Sequence, residues 1–306
     1  MKITEAIYLQ VSEQAEIAKE EGRPISVSGM LRKLGVSRSG YNAWRHRLPS
    51  DTSIRRQEVK EQIQRIYDES HQNYGAPKIT SELRKAGEII SERTVGQYMR
   101  QMGLRAQWVK PWVPTTVDPD FSDSLQNILD EQFNPERPNA VWCSDITYVW
   151  TIDGFVYLTS IMDLYSRKII AWTLSDSLEV SCVTETIQKA KLRRNLDLPL
   201  IIHSDRGSQY VAKEYKKATA RMQRSYSKKA YPWDNACIES FHALIKREWL
   251  NRFRIRDFNH AYSLIFEYIE AFYNTKRIHS HCGYLSPDDF EKLYNASVAR
   301  ESLLVS

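Results

Sequence analysis

The chain has 306 residues, with 43 Lys or Arg against 38 Asp or Glu and a formal charge of +5, long enough for two or three domains of ordinary size. Its four cysteines, Cys143, Cys182, Cys237 and Cys282, lie far apart with no short paired spacing, which suggests neither a zinc site nor a disulfide framework and fits reduced thiols in the cytosol. No run approaches the ~20 apolar residues of a membrane span and the start MKITEAIYLQ is amphipathic rather than a signal peptide, so the expectation is a soluble, cytoplasmic protein without a membrane partner.

Charge is unevenly spread. Residues 1–110 carry 19 Lys or Arg against 13 Asp or Glu, residues 111–140 carry 1 against 6, and the remainder 23 against 19. Two basic blocks flanking an acidic connector suit a polyanionic partner such as DNA.

The N-terminal third reads as helical, in two successive helix-turn-helix-like units, residues 1–50 and 51–110. In the first, Met30, Leu31 and Leu34 end at Gly35, and Ser37 can cap a helix that turns Tyr41 and Trp44 inward and Arg38, Arg45 and Arg47 outward. The second runs from a helix bearing Val59, Ile63, Ile66 and Tyr67, breaks at NYGAP, and resumes in ITSELRKAG. A further helix follows, with Ser91 as N-cap, Val95, Tyr98, Met99 and Met102 at i, i+3, i+4 and i+7, and Gly103 as the closing residue. Arg93 and Arg100 stay outside. Residues 111–138, with five prolines and six acids, read as a linker holding one short helix in FSDSLQNIL.

From residue 139 the pattern changes. AVWCSDITYVW, FVYLTSIMD and KIIAWTLS are rich in β-branched and aromatic residues and separated by turns at Asp153-Gly154 and Ser166-Arg167, the mark of three antiparallel strands. A helix near Val183 to Arg194, the strand LPLIIH, a polar helix near Lys213 to Arg221, a strand around Gln223 to Ser227 and a long helix opening at Asp234-Asn235 complete 139–306. The order predicts an α/β layer, a mixed five-stranded sheet flanked by helices.

Three acids stand where this order would gather them. Asp145 lies mid-strand, on one face with Cys143 and Thr147, where a lone carboxylate is costly to bury and seeks a cation or hydrogen bonds. Asp205 ends the strand LIIHSD just before a turn, where open α/β sheets display ligand-binding groups. Glu239 lies in the first turns of DNACIESFHALIKREW, with Ile238, Phe241, Ile245 and Trp249 as the buried stripe and Glu239, His242 and Lys246 on a neighbouring, accessible face. Such acids suit hard ions such as Mg²⁺, and two ions about 3.5 to 4 Å apart can drive an in-line displacement at phosphorus without a nucleophilic side chain. His203 and the pair Asp163 and Arg167 read as structural, Asp163 being the acid most easily mistaken for a catalytic one. Lys228, Lys229, Arg247, Arg252 and Arg254 are candidate phosphate contacts. Tyr273 to Phe290, rich in His, Tyr and Arg, reads as facing DNA or another subunit, its His279, His281 and Cys282 too crowded and too few for zinc.

WCSDITYV, IMDLYSRKIIAW, HSDRGSQY, DNACIESFHALIKRE and YNTKRIHSHCGYLSPDDFE, in that order, resemble the second-open-reading-frame transposases of bacterial insertion sequences, of the retroviral-integrase-like DDE superfamily. GVSRSGYNAWRHR, YGAPKI and TVGQYMRQMGL resemble that family's helix-turn-helix regions, so the likeness covers nearly the whole chain. The resemblance implies a ribonuclease-H-like integrase catalytic core preceded by all-α DNA-binding regions, Mg²⁺ or Mn²⁺ as cofactor in a pair of ions, and transfer of element-end strands into target DNA. It places Asp145, Asp205 and Glu239 on the family's acidic triad and Lys246 on a basic position set against DNA. Arg38, Arg45, Arg93, Lys228, Lys229 and Arg247 complete the expected DNA contacts. Implied partners are the element's terminal repeats and target DNA, further copies of the chain on that DNA, and an upstream-frame product fused by frameshifting; the setting is the bacterial cytoplasm at the nucleoid.

The sequence departs from the family pattern in three places. The 33 residues between Asp205 and Glu239 are two fewer than is usual, a deletion near ATARMQ that trims a helix-to-strand connection and bears on activity rather than fold. Cys282 stands where Leu is typical, and Ala76 follows Tyr74-Gly75 where a larger residue is common. The competing reading is a catalytically inactive DNA-binding regulator derived from such an enzyme.

Overall fold

A computed structural model describes residues 3–107, 125–194, 196, 199–228 and 232–305. The chain divides into two compact units, Met1–Gln62 and Ile63–Ser306. None of the described helices is long and apolar enough to cross a membrane.

In the first unit, α1 (Ile3–Glu20), α2 (Val27–Lys33) and α3 (Arg38–Arg45) pack around Tyr8, Val11, Leu31 and Tyr41. Ser26 and Ser37 cap α2 and α3 by accepting from the amides of Gly29 and Gly40, a device worth about 1 kcal/mol each. Gly35, at φ +68, makes the tight turn between them. Tyr41 is buried and Trp44 half-buried against it, while Arg38, Arg45 and Arg47 are exposed, as the spacing predicts.

The division falls within α4 (Asp51–Glu69). The second unit continues with α5 (Ala76–Lys85), opened by Pro77, and α6 (Glu92–Gln101), capped by Ser91. Ile79, Leu83, Val95 and Met99 are buried, and Gly103 closes α6 at φ +71. This helical segment is bound to the rest of its unit by the Tyr74 hydroxyl, which accepts from the amide of Ile278 at 2.8 Å, and by Lys85, whose Nζ donates to the carbonyl of Tyr284 at 2.6 Å. Arg252 donates to Asn73 Oδ1 at 2.6 Å and to the carbonyl of His71. A residue nominated for phosphate is therefore a tie within the protein.

The sheet has the order β3-β2-β1-β4-β5, built from β1 (Val141–Thr151), β2 (Gly154–Asp163), β3 (Ile169–Ser175), β4 (Ile201–Ser204) and β5 (Gln223–Tyr226). The first three are antiparallel neighbours, and β4 and β5 join in parallel. Helices α7 (Val180–Arg193), α8 (Ser208–Val211) and α9 (Lys213–Ala218) supply one apolar layer with Trp142, Ile161 and Ile202. On the other face lie α10 (Ala236–Glu248) and α11 (Phe258–Phe266), the latter continued by a π-helical turn, Glu267–Tyr273. There Ile238, Phe241 and Ile245 pack on Val141, Cys143, Val149 and Leu158, each burial worth about 1.5 to 3 kcal/mol.

Of the segment read as a linker, residues 108–124 lie outside the described residues, and 125–129 form no helix. Leu125 and Leu129 insert into the two apolar layers, and the carbonyl of Gln126 accepts from the amide of Tyr226 at 3.0 Å. This stretch covers the outer edge of β5, an edge that would otherwise invite pairing with another chain.

Tyr273 to Phe290 does not face outward as expected. Tyr273, Arg277, Ile278 and Cys282 are buried, because the charge is matched internally: Arg277 donates from Nη2 and Nε to the two oxygens of Glu248 at 2.6 and 2.7 Å, and Tyr268 adds a third donor at 2.8 Å. His281 Nε2 lies 3.0 Å from the carbonyl of Tyr165, and the Cys282 thiol donates to that of Ser166. Last, α12 (Pro287–Val305) seats Glu291 against Ser166 and Arg194.

Candidate active site

Alternation along β1 sends Val141, Cys143 and Val149 under α10, and Asp145 shares their parity, so it faces the same helix. Its side chain is 16% exposed, and His242 Nδ1 of α10 lies 3.2 Å from its Oδ2. A carboxylate only accepts, so the Nδ1 that faces it carries the proton. The other ring nitrogen lies 3.4 Å from the hydroxyl of Ser160, the β2 residue directly opposite Asp145. His242 is thus nearly buried, not on an accessible face as its helical position suggests, because the β1–β2 pair closes over it. The missed signal was its spacing: three residues after Glu239, on the turn that overlies the one acidic position of β1.

Asp205 follows β4 by one residue. Ser144 and Ser204 are register partners on the parallel pair β1–β4, so Asp145 and Asp205 come next on strands about 4.8 Å apart. The amide of Gly207 donates to Asp205 Oδ1 at 3.0 Å. A Cβ at Gly207 would stand 3.1 Å from that oxygen, so a side chain there would crowd the carboxylate.

Glu239 sits in the first turn of α10 with its side chain reaching solvent. Partial burial, and then the negative charge of Asp145, push its carboxyl above the usual range. Tyr210, whose hydroxyl is 3.0 Å from that of Ser144, is raised well above an ordinary phenol by burial and then by both Asp145 and Asp205. Asp145 therefore acts on both Glu239 and Tyr210, and Asp205 on Tyr210. Among the described residues, however, no group of three or more His, Cys, Asp or Glu side chains is gathered closely enough to hold a metal ion. The donor set fits a hard divalent ion that takes one or two carboxylates and keeps its waters, without forming a closed cage.

The neighbouring acid Asp163 is fully buried, accepts from the amides of Asn139 and Tyr165 at 2.8 and 3.0 Å, and is pushed up to about 6 by burial. With Arg167, at φ +60 and donating to the carbonyls of Leu164 and Phe133, it fixes the β2–β3 turn. His203 is held between the hydroxyls of Ser225 and Ser227 at 2.9 and 3.2 Å. All three have the structural place expected of them.

Of the expected DNA contacts, Arg38, Arg45 and Arg93 are exposed. Lys228 is exposed and bonded to Asp130 at 2.9 Å, Arg247 is half-buried, and Lys229 lies outside the described residues. Lys246 stands with its Nζ 4.4 Å from the ring centre of Tyr148; burial lowers its pKa, and Asp145 pulls the other way.

Family models of an integrase core domain match residues 135–232 and 220–287, and one of an HTH-like domain matches 55–112. The chain is 36% identical to the transposase for insertion sequence element IS904 of Lactococcus lactis over 253 residues, 82% of this chain and 100% of that protein. To transposase InsF for insertion sequence IS3A of Escherichia coli it is 36% identical over 273 residues, 87% of this chain and 94% of that one. Among solved structures, the catalytic core domain of BIV integrase is similar with a TM-score of 0.40 at 14% identity, over 53% of this chain and 99% of that one.

Proposed function

Because this chain belongs to the insertion-sequence transposases built on an integrase core, we propose that it cuts the ends of its element and joins them to target DNA at Asp145, Asp205 and Glu239. The observation that carries this reading is the parallel register of Ser144 with Ser204, which sets Asp145 and Asp205 side by side as the next residues, with Asp145 against the helix that bears Glu239. When bound, a pair of Mg²⁺ or Mn²⁺ ions supplies Lewis-acid activation of a water or 3′-hydroxyl and takes up charge on the leaving oxygen. Asp145 and Asp205, aided by Glu239, hold those ions. His242 orients Asp145 by donating to one oxygen, which leaves the other for a ligand, and the amide of Gly207 orients Asp205. Lys246 neutralises phosphate beside the acids.

Arg38, Arg45 and Arg93 serve the DNA contacts of the N-terminal helices, and Lys228, Lys229 and Arg247 those of the core. The helical regions 1–50 and 51–110 then read element ends, while 139–306 does the chemistry. The protein works in the bacterial cytoplasm on nucleoid DNA, as several copies on the ends and with an upstream-frame product as partner.

The second reading, an inactive DNA-binding regulator, is favoured by one observation: among the described residues no three donors close on a single point. Incubating the purified chain with its element ends and Mg²⁺ or Mn²⁺, beside Glu239→Gln, separates the two. Joined strands with the wild type alone support the transposase; binding without joining by either supports the regulator or a requirement for the upstream-frame product.

A further inference from the structure

Beyond Ser144, β1 runs on past the end of β4, so among the described residues the outer half of the β1–β2 hairpin has no strand on that side. One face of this half is closed, with Val149 and Val156 buried beneath α10 and α11. The other face carries Tyr148, Trp150 and Phe155, exposed to 53%, 63% and 48%. These rings support one another edge to face, Trp150 on Phe155 at 4.7 Å and Tyr148 on Phe155 at 5.3 Å. Three large aromatic side chains held in water by a rigid hairpin are costly unless something covers them.

The border is cationic. Lys246 lies over the Tyr148 ring at 4.4 Å. At the tip, the amides of Ile152 and Asp153 donate to the carbonyls of Ile255 and Arg256, which brings the segment Arg254–Arg256 alongside with both arginines exposed. Between Asp145 and Tyr157 the sequence holds one acid, Asp153, at the turn.

We propose that this face is a stacking platform for an unpaired nucleobase of the DNA strand engaged at the acids. Aromatic faces rimmed by cations are how single strands are held without regard to sequence, the rings taking bases and the cations phosphates. A paired duplex keeps its base faces stacked inside and offers these rings nothing. A second copy presenting the same patch in an isologous contact would bring Lys246, Arg254 and Arg256 against their own like charges. Tyr148 is three residues along the strand from Asp145, about 10 Å, with its ring on the opposite face of the hairpin; Lys246, from the helix over Asp145, reaches that ring, and a strand leaving the acids comes to it around the free edge of β1. The inference rests on the reading of this chain as one that acts on DNA ends; it adds that the end is held opened.

The test is fluorescence anisotropy of the full chain with labelled oligothymidine and with a duplex of equal length, in chelator. Trp150→Ala and Phe155→Ala each weaken single-strand binding about tenfold or more and change duplex binding less than about twofold. Trp150→Phe restores most of the single-strand affinity, which separates loss of stacking from loss of fold. Unchanged single-strand binding, or equal losses on both probes, overturns the platform; so does loss of self-association with DNA binding intact, which assigns the face to a second copy. A wild type that joins strands while these variants bind oligothymidine normally discards the platform and keeps the transposase. Ring-dependent single-strand binding without joining by the wild type does the reverse.

Discussion

Two glutamates on α10 have opposite surroundings. Glu248, at the C-terminal end, is buried and takes both forks of Arg277 and the hydroxyl of Tyr268, which together hold its carboxyl below the usual range against the opposing effect of burial. Glu239, at the N-terminal end, reaches solvent and is raised by partial burial and by Asp145. One carboxylate is satisfied by the protein; the other is set beside its own sign. A fold gains nothing from placing like charges together, so the second arrangement is where a cationic ligand has something to neutralise.

Neutralising each glutamate in turn separates the two roles. Glu239→Gln is expected to cut strand joining by about a thousandfold or more, several kcal/mol of lost activation, with the melting temperature unchanged. A fall in melting temperature of the size expected for the inner pair would mean that Glu239 is structural. Arg277→Met is expected to cost about 3 to 5 kcal/mol of stability, because it strands a buried carboxylate. In a urea melt, Glu248→Gln combined with Arg277→Met should lose less than the sum of the single changes; additive losses would deny the coupling.

A smaller effect is expected at His242. Replacing it with Ala frees Asp145 to turn, and joining should fall about 10- to 100-fold, with the loss partly offset by raised Mn²⁺. Rates indifferent to both the variant and the ion would remove His242 from the site.

The smallest effect is on stability with pH. Burial lowers His203 to about 4 and His279 to about 3, whereas in the unfolded chain both sit near 6.5. Between those values the unfolded chain binds protons that the native state refuses, so stability is full above about 6.5 and falls on acidification. Asp163, pushed up to about 6, works in the opposite sense: the native state keeps its proton, and that contribution is lost as pH rises through 6. From pH 7 to 5.5, His203 alone should cost about 1 kcal/mol. His203→Gln should flatten that part of the slope in a melting series; an unchanged slope would place the proton uptake elsewhere.

What could be read from residues follows a physical division. The five strands, Ser37 and Ser91 as caps, and the turn glycines Gly35 and Gly103 were legible because each is set by local preference, alternation or a positive φ. The family motifs marked the acids, and the strand order accounts for the register that sets Asp145 beside Asp205. The pairing of Glu248 with Arg277 spans 29 positions and leaves no local pattern, so a segment rich in His, Tyr and Arg read as surface when its charges are matched inside. His242 was misjudged for the same reason: helical period gives direction around α10, but only the strand register shows what stands opposite.

The ties made by Arg252, Tyr74 and Lys85 have a consequence for geometry on DNA. They join α5 and α6, within the HTH-like segment, to the body that carries the carboxylates. On the proposed reading, with α6 in a groove and a phosphate at the acids, the two stand at a fixed offset counted in base pairs. A chain that cuts as proposed would measure as it binds: the cut would be positioned by the protein's own dimensions, and inserting or deleting base pairs between the two places would shift the scissile bond out of reach.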